Sequence, residues 1–320
     1  MTDHTTTPIA AAYRTAREMV GRYFVGKEAL VELIFISLLS GGHILLEGVP
    51  GTAKTTLARA IAHLSGCTFH RVQCTVDTQP ADILGFRIYD QERHEFEVRK
   101  GPIFSNVLLI DELNRLNPKT QSAFIEAMSE RQVTIEGETH ALPDPFFVIG
   151  TQNPHEFEGT FPLIEAQKDR FVCSMASTHL DRDQELEVIR REQAGTLDWD
   201  RYAAGMTSAF ACRDVPGFIT AAQAIPVEEP VLSYIRDLVV ATREHGDVDL
   251  GASTRASLSM VRCGRARAAL QERPYVLPDD VRAIAHPILD HRLVLRRESE
   301  LGGITPARVV DEILGTVEVP

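Results

Sequence analysis

Apolar residues recur at helical intervals from Ile9 to Leu39, with a break near Val25-Gly26-Lys27. The short run His43–Glu47, bounded by glycines, predicts a buried strand, and Thr55–Ser65 predicts a helix with Leu57, Ala58 and Ile61 on one side. Val107–Ile110 predicts a second buried strand, ending in Asp111-Glu112. Asn117 is a helix cap with Pro118 at the first position, and Ala123, Phe124, Ala127 and Met128 form the stripe that follows. Phe146–Ile149 predicts a third strand, leading into Gly150-Thr-Gln-Asn153-Pro154. Three apolar strands alternating with helices predict an α/β core, a parallel sheet covered on both faces.

Two segments alternate with period two around polar centres, Phe86–Val98 and Gln132–Leu142, and predict β-hairpins inserted in that core. From about Ile225 onward only helices are expected, over Val231–Glu244, Thr254–Glu272 and Pro278–Leu293. The division predicted is an α/β core over 1–190, an irregular linker over 191–225 and an all-α lid over 226–320.

Composition changes this picture little. Hydrophobic residues at 44% and charged residues at 24% are ordinary globular usage. The apolar run Ala29–Leu46 is too short and too interrupted to span a bilayer, and the polar start carries no secretory pattern, so a cytoplasmic location is expected. Five scattered cysteines without a C-x-x-C pair are expected to be thiols, and the histidines lack a metal-ligand spacing. A net charge of −12 disfavours nucleic acid as a partner, because phosphate contacts need a basic surface.

The candidate chemistry sits where strand meets helix. Gly48-Val-Pro50-Gly51-Thr52-Ala53-Lys54-Thr55-Thr56 has the glycines that let a backbone wrap phosphates, and it opens a helix whose N-terminus favours an anion. Lys54 is the candidate for the β- and γ-phosphates and the Thr55 hydroxyl for Mg²⁺. Asp111, ending a neighbouring strand, is the second candidate Mg²⁺ contact, and Glu112 the base for an attacking water. Ala53 stands where the general phosphate-loop pattern has Gly.

With these residues the chain resembles the MoxR family of AAA+ ATPases, close to the magnesium-chelatase motor subunits. The likeness is carried by Gly48–Thr55, where Ala53 is the family's own choice, by Leu108–Arg115, Gln121–Gly137, Gly150–Pro154, Glu165–Phe171 and Gly251–Ala256. The resemblance implies an ATPase working with Mg²⁺ as an oligomeric ring, most often a hexamer, with a von Willebrand factor A domain protein as partner and a client protein to remodel. It implies Asn153 as a sensor of the attacking water, Arg170 as an arginine finger acting on a neighbour's ATP, and Arg255 as a second sensor on the lid. Thr254 stands where most members have Pro. Val25 and Gly26 would line the adenine pocket, and the hairpins would be inserts projecting toward a substrate. Metal insertion into a tetrapyrrole, a nucleotide-gated scaffold and a DNA motor are the alternatives that the same residues allow.

Overall fold

The computed structural model describes residues 7–48, 54–153, 159–177 and 179–320, with the Thr7 and Ser177 side chains left aside. Two helices, α1 (Thr7–Tyr23) and α2 (Glu28–Leu39), precede β1 (Ile44–Gly48), α3 (Lys54–Leu64) and β2 (Phe69–Gln73). A one-turn helix α4 (Pro80–Leu84) leads into the hairpin β3 (Gly85–Asp90) and β4 (Glu95–Lys100). Next come β5 (Val107–Asp111), α5 (Pro118–Glu130), the hairpin β6 (Gln132–Ile135) and β7 (Glu138–Ala141), β8 (Phe147–Gln152), α6 (Glu165–Lys168) and β9 (Cys173–Ser177). The remainder is α7 (Arg182–Gln193), α8 (Trp199–Ala204), α9 (Val215–Gln223), α10 (Glu229–Glu244), α11 (Thr254–Leu270), α12 (Pro278–Leu289), α13 (Arg297–Leu301) and α14 (Pro306–Thr316).

The five main strands form one parallel sheet in the order β2-β5-β8-β1-β9. The three apolar runs are its inner strands, and the period of two divides their side chains between two cores. Ile44, Leu46, Leu109, Phe147 and Ile149 face a core shared with α1 to α3 and the C-terminal helices. Leu45, Leu108, Ile110 and Val148 face the other, against α5 and the second hairpin.

Several expectations are corrected. Two outer strands went unpredicted because Phe69–Gln73 is half exposed and polar and Cys173–Ser177 is built of small residues, so neither makes an apolar run. The stretch before Ile225 carries regular helices, with Phe210, Val215 and Ala222 buried. The C-terminal part is not purely helical: Val248–Leu250 and Val294–Leu295 pair as a short antiparallel ladder, β10 and β11. The cysteines are not all thiols. Cys67 and Cys212 form a disulfide where the backbone of Ala209 and Phe210 returns to the end of α3 at Leu64, whereas Cys74, Cys173 and Cys263 are buried thiols. Among the described residues no helix is long and apolar enough to cross a membrane.

The C-terminal helices are pinned by one buried carboxylate. Asp280, fully buried, accepts from the Arg267 guanidinium at 2.7 Å, from the Arg273 guanidinium at 2.6 Å and from Leu277 N at 2.9 Å. Burial pushes its pKa up, but the bonds from Arg273, Leu277 and Arg267 outweigh it and hold the group below the ordinary carboxylate value. Asp280→Ala is expected to lower stability by about 3–5 kcal/mol at neutral pH, the usual loss when one partner of a buried ion pair is removed. Because the folded-state pKa is depressed, this contribution is complete above the unfolded pKa near ~4 and fades as pH falls below it. Denaturant titrations of both proteins at neutral and acidic pH check it. A difference that did not shrink in acid would contradict the assignment.

Candidate nucleotide site

Parallel strands place all their C-terminal ends on one edge of the sheet, and ligands of open α/β sheets gather there. Gly48, Asp111, Glu112 and Asn153 stand at or just past the ends of β1, β5 and β8, and Lys54, Thr55 and Thr56 open α3 beside them. The expected loop residues Pro50, Gly51, Thr52 and Ala53 lie outside the described residues. At the mouth of that loop the Lys54 ammonium donates to the Gly48 carbonyl at 2.8 Å. Burial lowers the Lys54 pKa and Asp111 pulls it back up, with Lys27 lowering it further and Glu112 again raising it.

The two candidate metal contacts converge: Thr55 Oγ1 lies 3.4 Å from Asp111 Oδ2. A hydroxyl and a carboxylate oxygen at that separation fit the few oxygen contacts that Mg²⁺ takes from protein beside a phosphate. Asp111 is otherwise held by Thr151 Oγ1, which donates to Oδ1 at 2.6 Å, and by Arg71, which donates to Oδ2 at 2.7 Å. Glu112 has left-handed backbone (φ 60°), an uncommon conformation for a side chain of this kind. Its N–H donates to Thr151 Oγ1 at 2.9 Å, its Oε2 accepts from Gln73 Nε2 at 2.9 Å, and the same oxygen forms an ion pair with Arg115, whose Nε lies 2.9 Å away.

Arg71, Gln73, Arg115 and Thr151 were not singled out from sequence. Thr151 stands two residues before Asn153 within a motif already noted. Arg71 and Gln73 gain their meaning only once β2 pairs with β5, in the register Gln73↔Asp111.

A cleft of about 100 Å³ opens on the same edge, lined by Gly26, Leu30, Leu46, Met175 and Gln184. Its apolar walls suit a flat base. Val25 sits beside Gly26 in the bend between α1 and α2. Gly26 suits that bend because its φ is +65°, left-handed backbone that glycine adopts without strain, whereas a Cβ would meet only the movable end of the Gln184 side chain.

Arg170 and Arg255 are not with these groups. They line a second cleft, of about 340 Å³, together with His43 and Val172, the residues that precede β1 and β9. That is the N-terminal edge of the sheet. A five-residue strand spans roughly 16 Å, so the two arginines stand farther from Lys54 and Glu112 than a side chain reaches. Asp169, the residue beside Arg170, pairs with Arg255 at 3.5 Å and with buried Arg292 at 2.7 Å. Arg292 also donates to the Phe171 carbonyl at 2.7 Å, which fixes the turn that carries Arg170.

Comparison with known proteins gives the family to which this fold belongs. Residues 43–173 match the ATPase family associated with various cellular activities (AAA), and residues 240–313 match the AAA lid domain. The chain is 41% identical to the Bacillus subtilis protein YeaC over 95% of its own length and 94% of the relative's. It is 40% identical to the chaperone MoxR1 of Mycobacterium tuberculosis, over 94% of this chain and 80% of that one. A solved structure from Cytophaga hutchinsonii superposes with a TM-score of 0.90 at 38% identity, covering 99% of this chain and 97% of the other. The chain belongs to the MoxR family of AAA+ ATPases and is an ATP hydrolase.

Proposed function

We propose that this ATPase works as a ring, most often six-membered, in which each ATP lies between two copies, and that hydrolysis drives chaperone-like remodelling of a partner protein. The observation that carries the reading is the division of the site: Lys54, Asp111 and Glu112 stand on one edge of the sheet and Arg170 with Arg255 on the other. A head-to-tail contact brings the arginine edge of one copy to the phosphate edge of the next, and repetition of that contact closes a ring.

In the assembled site Lys54 binds the β- and γ-phosphates, and the Gly26 cleft takes the adenine. Thr55 and Asp111 would hold Mg²⁺, which neutralises charge on the phosphate oxygens when bound. Asn153 orients a water, and Glu112 takes its proton as the water oxygen bonds to the γ-phosphorus and the bond to the β–γ bridging oxygen breaks. ADP and phosphate leave, and Arg170 and Arg255 from the neighbour balance the charge gathering on the transferred group. Movement between the core, 1–190, and the lid, 226–320, delivers the work.

The relative named a chaperone supports remodelling as the purpose, and the apolar surface of the first hairpin (Phe86, Ile88, Tyr89 and Phe96) supports it as the part that touches a client. A von Willebrand factor A domain partner is the companion expected of this family. Specific ATPase activity is expected to rise with protein concentration and to level off when assembly is complete. Turnover at full rate by a chain that sediments as a monomer at the assay concentration would defeat the shared-site reading.

A further inference from the structure

The cleft on the N-terminal edge holds more positive charge than an arginine finger and a lid sensor supply. Arg131, Arg170, Arg255, Arg262 and Arg292 all line it, and the acidic side chain among its lining residues is Asp169. Asp169 is taken up by Arg255 and Arg292. Among the described residues Arg131, Arg170 and Arg262 have no carboxylate partner, in a molecule whose net charge is −12. Such a concentration of guanidinium groups in a concave site is an electrostatic trap for an anion with several charges.

Two of these arginines are placed by the fold in ways that a solvated surface does not require. Arg131 ends α5 with left-handed backbone, φ 52°, a position where Gly or Asn is the unstrained choice. Its guanidinium reaches over the turn before β1 and donates to the Gly41 carbonyl at 2.8 Å. The charge stands close enough to His43 at the cleft floor to add to the burial that lowers that imidazole to about 4. Arg262 lies seven residues after Arg255 on α11, two turns along the same face, so both project into the cleft.

We propose that Arg131 and Arg262 are phosphate-binding residues that reach, with Arg170 and Arg255, the ATP held by the adjoining copy. This rests on the shared-site reading above. One edge of the sheet then carries the cation cluster and the other the nucleotide, and the strain at Arg131 is kept because the guanidinium is needed there.

The test uses the full chain carrying Arg131→Asn, which suits left-handed backbone, or Arg262→Ala, each mixed in a range of ratios with Glu112→Gln. A fluorescent ATP analogue reports affinity below the assembling concentration, sedimentation reports assembly, and phosphate release reports turnover. Each arginine variant is expected to keep the melting temperature, single-chain affinity and ATP-dependent assembly of the native protein, and to lose turnover on the order of 10²-fold, as when one aimed charge donor is removed. Mixing is expected to restore turnover, because the Glu112→Gln copy offers intact arginines to its neighbour's working site.

Arg170→Ala mixed with Glu112→Gln serves as the control. If that pair recovers while Arg131→Asn and Arg262→Ala either never lose turnover or fail to recover, the proposal falls and the shared site stands. If no pair recovers, both fall. If the variants instead lose assembly, the arginines hold a neighbour's carboxylates and the phosphate assignment is overturned.

Discussion

Glu112→Gln is expected to lower turnover about 10²- to 10⁴-fold, the usual contribution of a positioned general base, while ATP still binds. By the relation between rate and barrier, that is roughly 3–5 kcal/mol at the transition state. The substitution keeps shape and removes only basicity. Backbone placement at φ 60° is secured by the N–H bond to Thr151 Oγ1, which a side-chain change at Glu112 does not disturb. The amide oxygen of glutamine still accepts from Gln73, and the ion pair with Arg115 is the one contact that weakens with the lost charge. Lys54, Thr55 and Asp111 are untouched, and equilibrium binding of a fluorescent ATP analogue should match the native protein. Retained binding with a rate close to native would move the proton acceptor to another group and leave Glu112 a positioning role.

How much of this was legible beforehand depended on how local each feature is. The placement of Lys54, Asp111 and Glu112 on one edge is readable because a buried strand must end where its apolar run ends, so the polar residues that follow sit at the edge where ligands gather. Asn117 with Pro118 gave the start of α5 for a similar reason, and Asn117 Oδ1 accepts from Thr120 N as a cap should. Features that depend on distant pairing were hidden. The polar alternation of β2 gains meaning only against β5, and the Cys67–Cys212 link joins residues 145 apart. Arg292 fixes the turn of Arg170 through the Phe171 carbonyl, 121 residues away, so nothing near either residue announces the pair. The resemblance supplied Arg170 and Arg255 as names for roles. Their position on the opposite edge from Lys54 came from the parallel sheet alone.

Arg170→Ala is expected to lower turnover by about 10³-fold or more, the scale on which an arginine finger acts. It is expected to leave the fold as it was. Arg170 is exposed, has no carboxylate partner among the described residues, and follows a turn already fixed by Asp169, Arg292 and the buried Phe171. Neighbouring Asp169 keeps both its partners in the variant. A surface truncation of that kind changes stability by about 0.5 kcal/mol or less, so melting temperature should hardly move. ATP affinity of the single chain should also stay, because Arg170 lies across the sheet from its own Lys54 and Asp111. Arg170→Lys should recover little, since a lysine offers a point charge where the planar guanidinium offers paired donors to phosphate oxygens. Phosphate-release rates at assembling concentration, set beside melting and binding curves, separate the outcomes. A loss confined to turnover places Arg170 at a neighbour's transition state. Weakened single-chain binding would mean that it serves its own nucleotide, which the two-edged geometry forbids.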